Sequence, residues 1–210
     1  MIVIIDYGVG NIGSIANMIK KAGGECVVSS EISVIAEATK LILPGVGAFD
    51  NGMRNLAEMN LLEVLNKKVL QDKTPILGIC LGMQLFTHGS EEGSLPGLGW
   101  LDAHCYKFAF DTSLKNLRIP HMGWNDVAIK KNDLLFKDMW PDASFYFVHS
   151  YYLKCKHPED IAATTFFGFE FASTVQVQNI CATQFHPEKS HKYGLKLIQN
   201  FVESPAYVKG

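Results

Sequence analysis

The chain has 210 residues, of which 48% are hydrophobic and 19% charged, with a formal net charge of -2. That content can bury the core of one domain spanning residues 1–210, and the scatter of Lys and Arg supplies no basic surface for nucleic acid. No apolar run reaches the roughly 20 residues of a membrane-spanning helix, and Met1-Ile2-Val3-Ile4-Ile5-Asp6 is too short and lacks the basic start of a signal peptide, so a cytoplasmic, non-membrane protein is expected.

Taken in order, Ile2-Val3-Ile4-Ile5, Cys26-Val27-Val28, Leu41-Ile42-Leu43 and Ile76-Leu77-Gly78-Ile79 have the length and flanks of buried strands. Between them, Ile12 to Ala22 and Leu61 to Gln71 repeat apolar residues at helical spacing, with Asp72 and Pro75 closing the second. This pattern predicts a parallel sheet covered by helices. From about Trp100 the runs shorten and become aromatic and β-branched: Val127-Ala128-Ile129, Phe145 to Val148, Ala163-Thr164-Thr165 and Ala182-Thr183-Gln184. Antiparallel strands are expected there. A last helix, from about His191 to Glu203, ends before Pro205.

The first loop, Asp6-Tyr7-Gly8-Val9-Gly10-Asn11-Ile12-Gly13, contains G-x-G-x-x-G between a strand and a helix, with Glu31 beyond the next strand. By pattern alone it fits a dinucleotide site, which makes an NAD-dependent oxidoreductase one reading. The five cysteines are odd in number, widely separated and without a CxxC pair, which argues against disulfides or a zinc ribbon. Four sit in ordinary apolar contexts. Cys80 stands apart, in Gly78-Ile79-Cys80-Leu81-Gly82, where a strand gives way to a helix. This G-x-C-x-G spacing suits a nucleophile elbow, whose glycines permit the sharp turn, and a helix start favours thiolate. A buried cysteine at a strand-turn-helix corner fits the pentapeptide equally well.

A thiolate nucleophile needs an oriented imidazole. Of the seven histidines, His186 in Gln184-Phe185-His186-Pro187-Glu188 follows a strand, with Glu188 two residues on to hold one tautomer. A surface histidine beside a proline turn is the plainer alternative, and a metal site from His186, Glu188 and His191 a weaker one, since no zincin spacing is present. His149 rivals His186 as a base but has no acidic neighbour. Leu43-Pro44-Gly45-Val46-Gly47-Ala48-Phe49 is another strand end running into glycines, whose N-H groups could turn toward a developing oxyanion.

Together PGVGAF, GICLGMQLF, EEGSLPGLGW, PHMGWN, FYFVHSYY and QFHPEKS, in that order across essentially the whole chain, resemble the class I glutamine amidotransferases, and within them the glutaminase subunits of imidazole glycerol phosphate synthase. The resemblance implies a three-layer α/β fold with a mixed, largely parallel sheet. It implies L-glutamine hydrolysis by Cys80, His186 and Glu188, without metal or cofactor. It further implies an oxyanion hole from Leu81 and the Val46 and Gly47 loop, and substrate contacts from Gly45, Gln84, Glu92, Ser150 and Tyr151. Trp124, Tyr146 and Lys189 match positions facing a separate (β/α)₈ cyclase subunit, the heterodimer partner that receives the ammonia for histidine biosynthesis. The family's DYGxGN opening binds no nucleotide. GNIGSI and SEEGSLPGLGW also resemble paralogues that feed a sugar amidotransferase in surface-polysaccharide synthesis, which gives the acceptor an alternative.

Overall fold

A computed structural model describes residues 1–110 and 117–205. Strand β1 (Ile2–Ile5) leads through helix α1 (Ile12–Lys21) to β2 (Cys26–Ser29), then α2 (Ile32–Ala36), β3 (Lys40–Leu43), α3 (Phe49–Glu58) and α4 (Leu61–Asn66). The last of these widens into a π-helical turn over Lys67–Gln71 before β4 (Ile76–Ile79) and the short α5 (Leu81–Leu85). Next come β5 (Ala103–Lys107), β6 (His121–Asp126), β7 (Ala128–Ile129), β8 (Ser144–His149), β9 (Tyr151–Cys155), β10 (Ile161–Phe167), β11 (Phe169–Val177), β12 (Ile180–Thr183) and α6 (His191–Glu203).

The main sheet runs β2-β1-β3-β4-β12-β11-β10-β7, with β9 on β11 and β5 on β9; β6 and β8 form a separate antiparallel pair. The four strands of the first half are parallel, as expected. In β1, Ile2 and Ile4 pack into one core cluster and Val3 and Ile5 into the other. Burial on both faces explains why β1, β3 and β4 read as unbroken apolar runs rather than alternating ones. Helices on the two faces complete three layers.

One expectation needs correction. The Ala182-Thr183-Gln184 run reads in sequence as one of the antiparallel strands, yet β12 starts at Ile180, ends at Thr183, and is antiparallel to β11 but parallel to β4. Its register, Thr183 opposite Ile79, ends both strands at the same edge of the sheet, so the residues that follow them emerge side by side. Helix α3, which begins within the glycine-rich PGVGAF stretch and runs through Asp50-Asn51-Gly52, carries no clear helical signal in sequence; at Gly52 a Cβ would meet Leu85 Cδ1 at 3.0 Å, so glycine fits the close packing against α5. The C-terminal helix lies where it was predicted, and buried Lys40 donates from Nζ to the carbonyls of Phe201, Val202 and Ser204 at its end. Among the described residues no helix is long and apolar enough to cross a membrane.

Candidate active site

Cys80 occupies the single residue between β4 and α5, with φ +53° and ψ -106°. A non-glycine residue in such a region costs on the order of 1–3 kcal/mol and persists only where its surroundings hold it. Here Cys80 N donates to Thr183 O at 2.8 Å, tying the elbow to the end of β12. The flanking glycines are spatial requirements: a Cβ on Gly78 would meet the Phe86 ring at 2.6 Å, and one on Gly82 would collide with the Leu43 carbonyl.

Because β12 ends beside β4, His186 arrives next to this elbow. Its Nδ1 pairs with Glu188 Oε1 at 2.8 Å, with both side chains 2% exposed, while its Nε2 is buried without a hydrogen-bond partner among the described residues. Burial opposes a charged ring, but the interactions with Cys80 and Glu188 outweigh it and raise the imidazole to about 10. His186 N also donates to Tyr146 O, and Ser190 Oγ bridges His186 O and Tyr146 N, which fixes the loop against β8.

Cys80 and His186 open into a cavity of about 470 Å³ that is also lined by Val46, Gly47, Leu81, Gln84, Glu92, Ser150 and Tyr151. Nine of the residues assigned to substrate or catalysis therefore converge on one hollow. Glu188 stands behind His186, and Gly45 packs behind the wall, where a Cβ would meet Tyr7 Oη at 2.6 Å and Leu81 Cβ at 2.7 Å. Glu92 Oε2 accepts from Phe49 N at 2.9 Å at the start of α3. Leu81 N, expected to point at an oxyanion, donates to Gly45 O at 3.3 Å instead; the tight Gly45 packing brings that carbonyl there. The bond is long and correspondingly weak.

Sequence reasoning missed Gln184 as a site residue. Fully buried just past β12, it donates from Nε2 to Cys80 Sγ at 3.7 Å and accepts at Oε1 from Gln84 Nε2 at 3.1 Å. Its place in QFHPEKS is the only signal, since a lone glutamine in a strand end has no spacing that marks chemistry. Pro120, Val148 and His149 complete the wall. His149 is no rival base: Nδ1 pairs with Tyr151 O and Nε2 with His121, and burial holds its ring down to about 3. His191 stacks on Trp124 rather than joining His186 and Glu188.

Trp124 is 48% exposed on β6, edge-on to Tyr146, over whose ring Lys189 Nζ lies at 5.5 Å; Met122 projects beside it. The three residues assigned to an interface thus share one surface. The G-x-G-x-x-G loop serves packing: Tyr7 Oη donates to Pro44 O at 2.6 Å, and a Cβ on Gly10 would meet Pro44 at 3.1 Å. A Cβ on Gly13 would meet nothing within 4 Å, so the close helix-strand approach that the third glycine of a dinucleotide fingerprint permits is lacking. The first loop braces the Pro44-Gly45 turn.

The model of the glutamine amidotransferase class-I family matches residues 3–204. An imidazole glycerol phosphate synthase subunit HisH 2 of Methanococcus maripaludis is 53% identical over 97% of this chain and 99% of its own length. The HisH subunit of Bdellovibrio bacteriovorus is 46% identical over 97% of this chain and 100% of its own. Among solved structures, PurLQS from Thermotoga maritima aligns at TM-score 0.70 with 16% identity, covering 95% of this chain and 96% of that one. The glutaminase domain of Trypanosoma brucei CTPS with bound acivicin aligns at 0.64, with 15% identity over 97% and 94% of the two chains. At those identities the structures speak for the fold alone. The chain belongs to the class-I glutamine amidotransferase family.

Proposed function

We propose that this chain is the glutaminase subunit of imidazole glycerol phosphate synthase in histidine biosynthesis, working as one domain. The observation that carries the reading is the elbow cysteine sharing a cavity with a histidine whose far nitrogen is held by a buried glutamate. The near-full-length likeness to HisH subunits supports the pathway.

In this mechanism Cys80 Sγ, as thiolate, attacks the side-chain carboxamide carbon of glutamine. His186 Nε2, buried and unpartnered among the described residues, carries the proton that the leaving nitrogen takes as the C-N bond breaks and a thioester forms. Water then attacks the thioester, giving one proton to His186; the C-S bond breaks, glutamate leaves with its second water-derived proton lost to solvent, and the Cys80 thiolate and His186 imidazolium are restored. Glu188 holds Nδ1-H and stabilises the imidazolium. Gln84, Glu92, Ser150 and Tyr151 take the amino-acid end of the substrate, with Gly45 backing the wall behind them.

The oxyanion forms beside Leu81 and the Val46-Gly47 loop, where the Gly45 carbonyl currently takes the Leu81 N-H. Releasing that weak bond makes the donor available, so the loop is a switch and a low basal rate follows. Ammonia is protonated in open water, so it needs a covered route to its acceptor. Met122, Trp124, Tyr146 and Lys189 offer the surface for a (β/α)₈ cyclase partner. The cavity calls for no cofactor, neither nucleic acid nor membrane has a part in this reading, and its compartment is the cytoplasm.

The test is glutamate release by the purified chain, alone and with an imidazole glycerol phosphate synthase cyclase subunit plus its ribonucleotide ligand, with Cys80→Ala as blank. Strong stimulation that disappears in the blank is expected. Cys80-dependent hydrolysis without stimulation would move the acceptor to a sugar amidotransferase, and none under either condition would remove Cys80 from its role.

A further inference from the structure

Beneath the cavity a line of hydrogen bonds crosses the β6-β8 pair, and its polarity can be worked out link by link. His149 Nδ1 lies 2.8 Å from the Tyr151 carbonyl, which can only accept; Nδ1 therefore bears the proton, and Nε2 of the neutral ring accepts. The atom facing that Nε2 is His121 Nδ1 at 2.9 Å, which must donate. His121 Nε2 is then left as an acceptor, and Asn125 Nδ2 approaches it at 3.0 Å. One carbonyl at the end of the line fixes the tautomer of both rings.

The surroundings keep the two rings neutral and in place. His121 and His149 sit directly opposite in the strand register. Both are buried, and the His121 ring stacks between Phe147 and Phe167 at centroid distances of 4.7 and 4.2 Å. Burial pushes His121 down to about 4 and His149 to about 3, the latter against a rise from its bond to Tyr151. Protonating either ring would set two donors face to face.

The line ends where substrate is expected. The Tyr151 carbonyl that accepts from His149 also receives Gln84 Nε2 at 3.3 Å, and Gln84, Ser150 and Tyr151 all line the cavity. We propose that His121 and His149 are a tautomer-locked positioning pair that holds the Ser150-Tyr151 segment in register for the amino-acid end of glutamine. The pair exchanges no proton with Cys80 or the substrate. This rests on the glutaminase reading for the identity of the ligand, while the tautomers themselves do not.

Two measurements test it. Two-bond ¹H-¹⁵N spectra of the imidazoles in the full wild-type chain should show both rings as the Nδ1-H tautomer at neutral pH; an Nε2-H form of either ring overturns the proposal. Kinetically, with the cyclase partner and its ligand present, His121→Phe keeps the stacked ring but removes the donor. It should raise KM for glutamine about tenfold and leave kcat and the rate of Cys80 alkylation within about threefold. His121→Asn, whose amide nitrogen falls where Nδ1 was, should restore KM; a KM unmoved by His121→Phe sinks the positioning role. If His121→Phe fails to fold, the wild-type spectra still decide. A wild-type chain that releases no glutamate overturns the glutaminase reading and leaves the tautomer result standing by itself.

Discussion

Replacing Glu188 with glutamine removes the charge behind His186 while leaving a carbonyl oxygen to accept from Nδ1. In the native protein the two atoms are 2.8 Å apart and the side chains 2% exposed, so this is a charge-assisted hydrogen bond formed out of water, a class that contributes about 1.5–3 kcal/mol. At about 1.4 kcal/mol per factor of ten, losing its ionic part should lower kcat for glutamine hydrolysis by about 10- to 100-fold, with little change in KM because the carboxylate does not reach the cavity. The same substitution changes the pH dependence of stability. His186 is raised from 6.5 to about 10, so its contribution is complete below about pH 6.5 and disappears as pH climbs through about 10. With Glu188→Gln the ring loses one of the two neighbours that raise it, so the contribution is smaller and its loss should be complete at a lower pH. Thermal midpoints recorded from about pH 6 to about 10, alongside kcat, read both effects. A variant with wild-type kcat, or midpoints that fall over the same pH range in both proteins, would refute the role given to Glu188.

Gln184→Leu removes the amide that touches Cys80 Sγ and Gln84; kcat and the rate of Cys80 alkylation by iodoacetamide should both fall about tenfold, and unchanged alkylation would remove Gln184 from the nucleophile's support. Lys40→Met leaves the carbonyls of Phe201, Val202 and Ser204 without their shared donor, a loss of about 2 kcal/mol that should lower the melting temperature by roughly 4–8 °C in calorimetry. Gly82→Ala should destabilise the chain by about 3 kcal/mol or more in urea titration, because its Cβ collides with backbone at Leu43, whereas Gly13→Ala in the first turn of α1 should be neutral or gain about 0.5–1 kcal/mol. Equal midpoints for the two alanine variants would contradict the packing described for the elbow.

Much of this protein is legible along the chain, and the reasons are local. Strands buried on both faces must be apolar throughout, so β1, β3 and β4 declare themselves. The elbow is legible because glycine at 78 and 82 is demanded by contacts a Cβ cannot make. His186 and Glu188 lie two residues apart and bond directly. Each of these signals depends on residues within a few positions of one another.

Other features depend on residues that are neighbours only in space. The direction of β12 follows from its partner β4, about a hundred residues earlier, and that pairing is what carries His186 to Cys80. Gln184 gains meaning only once Gln84 and Cys80 are beside it. Leu81 N-H is taken by Gly45 O, in a turn that Tyr7, from the first loop, ties down through the Pro44 carbonyl. His149 looks in sequence like a second base, and only its pairing with His121 across the sheet makes it a neutral donor to a carbonyl. The sequence by itself determined the buried strands of the first half, helices α1 and α6, the elbow and the histidine-glutamate pair, because backbone sterics and short-range spacing write them locally. Tertiary structure alone decided which groups face the thiol and which hydrogen bonds are already taken, because those depend on strand order and register.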